Sequence, residues 1–321
     1  MTTEQVEWRY ELDSAFVSGT DLLASNFSTK VAGHAATVYL PTAPDTGSES
    51  WSLGPPAEAM VKSEPSDWWG SVTTKSGGTP IGVACRRLVF STKLVGTDSE
   101  RQAAAEAIVA AMDGWWEAAK SWLEVVTGQR LTKVAHEPPG VMGNKTPIWP
   151  IDAGGSVGKP FTIASSSTLD MTPVNGVTRE LLAESFRLAG EGESAPLAWT
   201  MLRDARALLA ADHYRRAVID AGAAAEVAVH KLLDDQRALG LVPGSGFGRT
   251  LGGRAQALAS TGYVLPVPDF QREFVDIRND AVHVSVSTPP PTAADVRKMI
   301  PMAATLVEAA YPLPGGHTRM W

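Results

Sequence analysis

The chain has a single cysteine, Cys85, in 321 residues. One thiol excludes an intramolecular disulfide and any metal site built on cysteine, and it fits a reducing cytoplasm. Long hydrophobic runs are also missing. No apolar stretch approaches the roughly 20 residues that a membrane-spanning helix needs, so no membrane role is expected. The opening segment MTTEQVEWRYELD is too acidic and polar for a secretory leader. Net charge is −7, which argues against a sequence-blind coat on nucleic acid. Histidine is scarce as well: His34 and His136 have no partner at metal-ligand spacing, and no metal or other cofactor is expected.

What remains is the composition of a globular chain long enough for two domains, with 44% hydrophobic and 20% charged residues. The two halves differ. Up to Asp170 there are 13 Lys+Arg against 19 Asp+Glu; from Met171 onward there are 15 against 16, and 13 of those 15 bases are arginine. Arginine grips phosphate in a bidentate fork that lysine lacks, although a GC-rich genome produces the same bias.

In the first half, residues 8–17, 31–40 and 81–90 read as strands, being β-branched and aromatic between turn-forming clusters. Residues 41–56 and 64–80 read as Pro/Gly/Ser-rich loops, and 137–147 as a further loop. The T-D-S-E run from Thr97 to Glu100 is a capping box opening a helix that reaches about Val126. Short strands are expected at 147–151 and 160–164. An α+β domain over 1–170 follows. Eight of the ten tryptophans lie in it, and the pair Trp68–Trp69 either stacks on a ligand or fills the core. GGSVGKP at 154–160 imitates a phosphate-binding loop but has Ala153 and Pro160 where the pattern needs Gly and Ser or Thr.

From Thr178 the pattern becomes helix after helix: 178–190, 197–210, 212–240, a short one near 250–260, 269–283 and 292–310. The expectation is an all-α antiparallel bundle over 171–312, with a flexible tail at 313–321. In the long third helix, Ala217, Ala221, Ala224, Ala225 and Ala228 leave a face that another helix approaches closely.

The stretch with the most chemistry is DFQREFVDIRNDAVH, Asp269 to His283. Phe270, Phe274, Ile277 and Ala281 make an apolar stripe at helical spacing, and Arg272, Asp276, Asn279 and His283 make a polar one. Asn279 and His283 stand four apart, so an amide-to-imidazole bond is available to fix the ring. Arg278 lies about 140° around the axis from His283 and about 7.5 Å along it, within reach of a phosphate held near the ring. The helix dipole favours a cationic His283 by about 0.3–1 kcal/mol. Glu226, on the Ala-rich face, needs a partner if buried; Arg278, His283 and His230 are candidates. Arg278 has Asp276, Asp280 and Glu226 as candidate ion-pair partners, and in that purely structural alternative His283 only caps the helix.

These helices resemble HEPN domains, small bundles found in prokaryotic toxins, defence systems and some ribonucleases. The resemblance covers about 195–312 and none of the first half. It rests on ADHYRRAVIDAGAAAEVAVHKLL as the family's long helix, on FVDIRNDAVH as its signature of Arg, a polar residue, then His, and on the Thr/Pro-opened helix that follows. Arg130 and Arg206 also precede a histidine at a permitted distance, but neither is followed by a polar residue.

The resemblance implies a cytoplasmic, metal-independent endoribonuclease, a toxin or phage-defence effector. Arg278, Asn279 and His283 would be catalytic, Glu226 and Asp280 supporting, and Arg203, Arg206, Arg215 and Arg216 an RNA-facing patch. RNA would be the partner, together with a second copy of the chain that supplies the second imidazole, and an antitoxin or regulatory protein. A non-catalytic module that binds a nucleotide or protein, with the first half as the functional part, is the alternative, and a structural scaffold a third.

Overall fold

The computed structural model describes residues 2–43, 52–60, 68–74, 80–134, 175–242, 248–283 and 289–321. An antiparallel sheet comes first: β1 (Thr2–Ser18), β2 (Asn26–Val31), β3 (His34–Tyr39), β4 (Gly70–Thr74) and β5 (Pro80–Gly96). The strand order is β1-β5-β3-β2, with β4 paired to the opening half of β5. Long β5 organises the layer, with β1 along one edge and β3 and β4 in turn along the other.

The stretch 31–40, expected to be one strand, contains a hairpin turn. Ala32 and Gly33 both take positive φ, 48° and 80°, and fold β3 back on β2 with Val31 opposite His34. Two successive left-handed residues match the twist of a tight hairpin, and alanine is an unusual occupant of the first place. The loop expected at 64–80 contains β4, whose ladder on β5 runs from Gly70↔Cys85 to Thr74↔Pro80. The expected strands at 147–151 and 160–164, the loop at 137–147, His136, GGSVGKP and the boundary at 170 lie outside the described residues.

Helix α1 (Asp98–Thr127) begins as expected: Glu100 N–H donates to Thr97 Oγ1 at 3.3 Å and Thr97 N–H donates to Glu100 Oε2 at 2.7 Å. It lies on the sheet through tryptophans whose indole N–H groups all find acceptors. Trp116 donates to Asp13 Oδ1 at 2.7 Å, Trp115 to Thr29 Oγ1 at 2.9 Å and Trp122 to the Glu193 carbonyl at 3.0 Å. Buried Trp69 belongs to the same core, while Trp68 is half exposed with the Arg86 guanidinium 5.1 Å from its ring centroid. Core filling therefore accounts for most of the tryptophans, as large amphipathic rings with one bond to satisfy.

Seven helices are present among the described residues, six of them after α1: α2 (Arg179–Gly190), α3 (Leu197–Ala210), α4 (Tyr214–Ala238), α5 (Leu251–Ala259), α6 (Ile277–Val282) and α7 (Ala293–Ala310). The apolar core runs without a break from the sheet through α1 into these helices. Ala217, Ala221, Ala224, Ala225 and Ala228 are fully buried, and α4 packs on α3 and α7. The close-packing face is thus filled from within the chain and is not free for a second copy.

Residues 313–321, expected to fray, instead lie along the end of α1. Met320 N–H donates to the Val126 carbonyl at 2.9 Å, and the Trp321 indole N–H to the Val125 carbonyl at 2.7 Å. Arg206 stacks on the Trp321 ring with its guanidinium carbon 4.1 Å from the centroid. A bulky ring with an acceptor for its N–H and a cation on its face has ample reason to stay.

Candidate active site

The expected continuous helix from Asp269 to His283 is interrupted. Gln271–Asp276 winds as a π-helix, and only Ile277–Val282 is regular α6. The wider turn breaks the polar stripe into local pairs: Gln271 Nε2 donates to Asp276 Oδ1 at 2.7 Å, and Arg272 pairs with Asp269 at 3.2 Å. Phe270 and Phe274 stack with centroids 4.9 Å apart and pin the wide turn to the core.

Downstream of that turn, α6 lies antiparallel to α4. Arg278 reaches Glu226, while Arg215 Nε donates to the Ala281 carbonyl at 2.7 Å. Arg215, Gly222 and Glu226 are spaced seven and four apart, so one face of α4 carries all three. Gly222 is required by the approach: a Cβ there would stand 2.5 Å from Arg278 Cγ. The arginine stem crosses α4 over the glycine and delivers its guanidinium to Glu226 Oε2 at 3.3 Å and Asn279 Oδ1 at 3.2 Å.

Glu226 is shared. Its other oxygen, Oε1, accepts from Arg254 Nη1 at 3.3 Å, so one carboxylate joins guanidinium groups from α5 and from α6. All three side chains are about a quarter to a third exposed. The expected need of Glu226 for a partner is met by arginine. Of the two histidine candidates, His230 pairs with Asp234 at 3.5 Å instead.

His283 closes α6 with non-helical φ and ψ of −97° and 83°, its N–H donating to the Asn279 carbonyl at 2.8 Å. Its ring is exposed and makes no hydrogen bond among the described residues. Asn279 Oδ1 accepts from Arg278 Nη1, and no amide-to-imidazole bond joins Asn279 to His283. Asp280 is exposed and touches neither Arg278 nor Arg254 among the described residues.

The four-arginine patch does not form. Arg203 and Arg206 point into the seam between α3 and α1. Arg203 pairs at 3.0 Å with buried Glu124, which also accepts from the Leu131 and Thr132 N–H groups, and at 2.8 Å with Asp204. Arg206 donates to the Gly128 carbonyl at 3.2 Å beneath Trp321; burial, with the charge of Arg130 added, lowers it to about 10. Only Arg215 and Arg216 are exposed, and Arg215 belongs to the α4–α6 contact. Arg254, by contrast, was not anticipated. Nothing in its local sequence, LGGRAQALA, distinguishes it from a solvated helix residue.

Two surface crevices, of about 470 and 530 Å³, lie away from these residues, one at the β2–β3 turn and the end of α2, the other between β1 and α1. Among the described residues no group of three His, Cys, Asp or Glu side chains is arranged to hold a metal ion, and no helix is long and apolar enough to cross a membrane. Neither a protein-family model, nor a curated protein, nor a solved structure matches the chain.

Proposed function

We propose that the chain is a ribonuclease of HEPN type acting through the Arg278–Asn279–His283 end of α6. The observation that carries this reading is the seat of Arg278. A glycine on α4 clears its path, a carboxylate and an amide hold its guanidinium, and an exposed imidazole ends the same helix. Glycine in a helix interior costs roughly 1 kcal/mol, and here it is spent on admitting one arginine stem.

In this mechanism His283 takes the proton from a ribose 2′-hydroxyl, whose oxygen attacks the adjacent phosphorus as the bond to the 5′-oxygen breaks. Arg278 stabilises the negative charge that builds on the phosphoryl oxygens. The departing 5′-oxygen needs a proton too, and one imidazole does not serve both ends of the same step. The reading therefore asks for a second copy of the chain, docked through a face other than the buried alanine face of α4.

A non-catalytic nucleotide-binding module is the second reading. It is favoured by the His283 ring, for which no partner among the described residues sets the tautomer. Cleavage of a labelled RNA in EDTA separates the two: the ribonuclease leaves 2′,3′-cyclic phosphate and 5′-hydroxyl ends and spares DNA, which has no attacking hydroxyl. The module leaves the RNA intact.

A further inference from the structure

Glu226 holds two guanidinium groups, one on each oxygen, at the same 3.3 Å distance. One carboxylate cannot neutralise two cations. Arg278 spends two of its terminal nitrogens, on Glu226 and Asn279, whereas Arg254 is bonded among the described residues through Nη1 alone. Its remaining donors have no partner among the described residues, and its side chain is about a quarter exposed. An arginine placed only to balance Glu226 would be redundant, since Arg278 already does so.

Two glycines beside Arg254 shape how α5 meets its neighbours. Gly252 and Gly253 leave α5 bare on the sides that meet the π-helical turn and Gly248; a Cβ on Gly252 would lie 2.3 Å from Gln271 Oε1, and one on Gly253 3.0 Å from the Gly248 Cα. Helix α5 touches the turn that launches α6, and both α5 and α6 pack on α4, so the two guanidiniums come from helices held against one neighbour. With a carboxylate between them, their bonded nitrogens are separated by no more than about 9 Å, from two 3.3 Å contacts and the width of the carboxylate.

We propose that Arg254 is a second RNA-binding residue of this site, holding the phosphate next to the one gripped by Arg278, with Glu226 as the spacer between the two guanidiniums. The inference rests on the ribonuclease reading and narrows its substrate to single-stranded RNA with at least two consecutive phosphates. A duplex would hold its backbone in a fixed helical form and bring a second strand against α5, whereas a single strand lets two neighbouring phosphates turn toward two arginines on adjacent helices.

The test uses the full-length chain carrying His283→Ala, which leaves RNA uncut, and fluorescence anisotropy with two probes. One is a dinucleoside monophosphate, the other a single-stranded oligoribonucleotide, each titrated across a range of salt. Adding Arg254→Ala is expected to weaken the oligonucleotide about tenfold, as befits the loss of one charge-assisted contact. It should also reduce the slope of log affinity against log salt by about 0.7, the share of one phosphate on a single strand. Arg254→Lys should restore the slope, and the dinucleoside monophosphate should bind equally well with or without Arg254. Unchanged oligonucleotide affinity and slope in Arg254→Ala would overturn the inference while leaving the ribonuclease reading intact. Equal weakening of both probes would also overturn it, because Arg254 would then act only through Glu226 on Arg278. Failure of the His283→Ala chain to bind either probe at any salt would remove the ribonuclease reading and this inference with it.

Discussion

Gly222→Ala separates the chemistry of the site from the stability of the fold. The new Cβ would stand 2.5 Å from Arg278 Cγ, about 1 Å inside the normal separation of two carbon atoms, so the arginine stem has to leave α4. Swinging a flexible stem off its rotamer costs about 0.5–1.5 kcal/mol. The Arg278–Glu226 pair it abandons, with side chains 26% and 30% exposed, is worth at most about 1 kcal/mol. Against that, alanine gains about 0.8–1.0 kcal/mol over glycine inside a helix. These contributions nearly cancel, and the melting temperature should move by no more than about 3 °C. Activity has no such compensation. If Arg278 stabilises a phosphorane as proposed, moving its guanidinium by about 1 Å should cost about 10²-fold in cleavage. Thermal unfolding and an end-labelled RNA assay on one preparation suffice. Full cleavage with an unchanged melting temperature would refute the claim that the seat on α4 matters. A melting temperature lowered by ten degrees or more would show that Gly222 serves packing rather than the placement of Arg278.

Arg278→Lys should keep the charge and lose most of the activity, because a point charge cannot bond Glu226, Asn279 and a phosphate in one plane; cleavage near the wild-type rate would contradict this. Trp321→Ala should lower thermal stability by about 1–3 kcal/mol, since it removes a bonded indole and uncovers Arg206; a neutral result would mean that the tail is not held as described. Burial, and then the charge of Asp204, raise the Asp220 pKa, so the unfolded chain gives up this proton at a lower pH than the folded one. Stability from this group therefore falls as pH rises through the folded value, and Asp220→Asn should stabilise the protein at pH 7 with a gain that vanishes as pH drops toward 3.8. An Asp220→Asn gain that persists undiminished below that pH would assign the effect to something other than titration.

The parts of the fold that could be read in advance are those set by neighbours in the chain. Thr97 with Glu100 announced α1, and Thr292 with Asp295 closes the same box at the start of α7, where Thr292 N–H donates to Asp295 Oδ2 at 2.8 Å. Glu226 was legible for a different reason: a carboxylate on an alanine face must find a cation, and Arg278 was among those available. The hairpin at Ala32–Gly33 was hard to read, because alanine seldom takes positive φ and Gly33 is the one local mark of a turn in a run that otherwise reads as strand. Strand β4 was hidden for a related reason; its five residues sit in a Gly/Ser-rich stretch and gain their pairing from β5.

The candidate site divides along the same line. The Arg-Asn-x3-His spacing is visible in the letters, but the π-helical turn that aims it depends on Phe270 and Phe274 finding the core. Arg203 and Arg206 looked like a solvent-facing patch because their real partners, Glu124 and Trp321, lie 79 and 115 positions away in the chain. Arg254 carries no signal in the sequence because the carboxylate it pairs with is on another helix.

The central claim, that the end of α6 cleaves RNA, is tested most directly by comparing wild type and a folded His283→Ala variant on the same RNA in EDTA. The account predicts cleavage by the wild type and a fall of about 10²–10⁴-fold in the variant, with the melting temperature unchanged because the ring is exposed and unbonded among the described residues. Cleavage that persists undiminished in His283→Ala, or none from the wild type at any concentration, would contradict it.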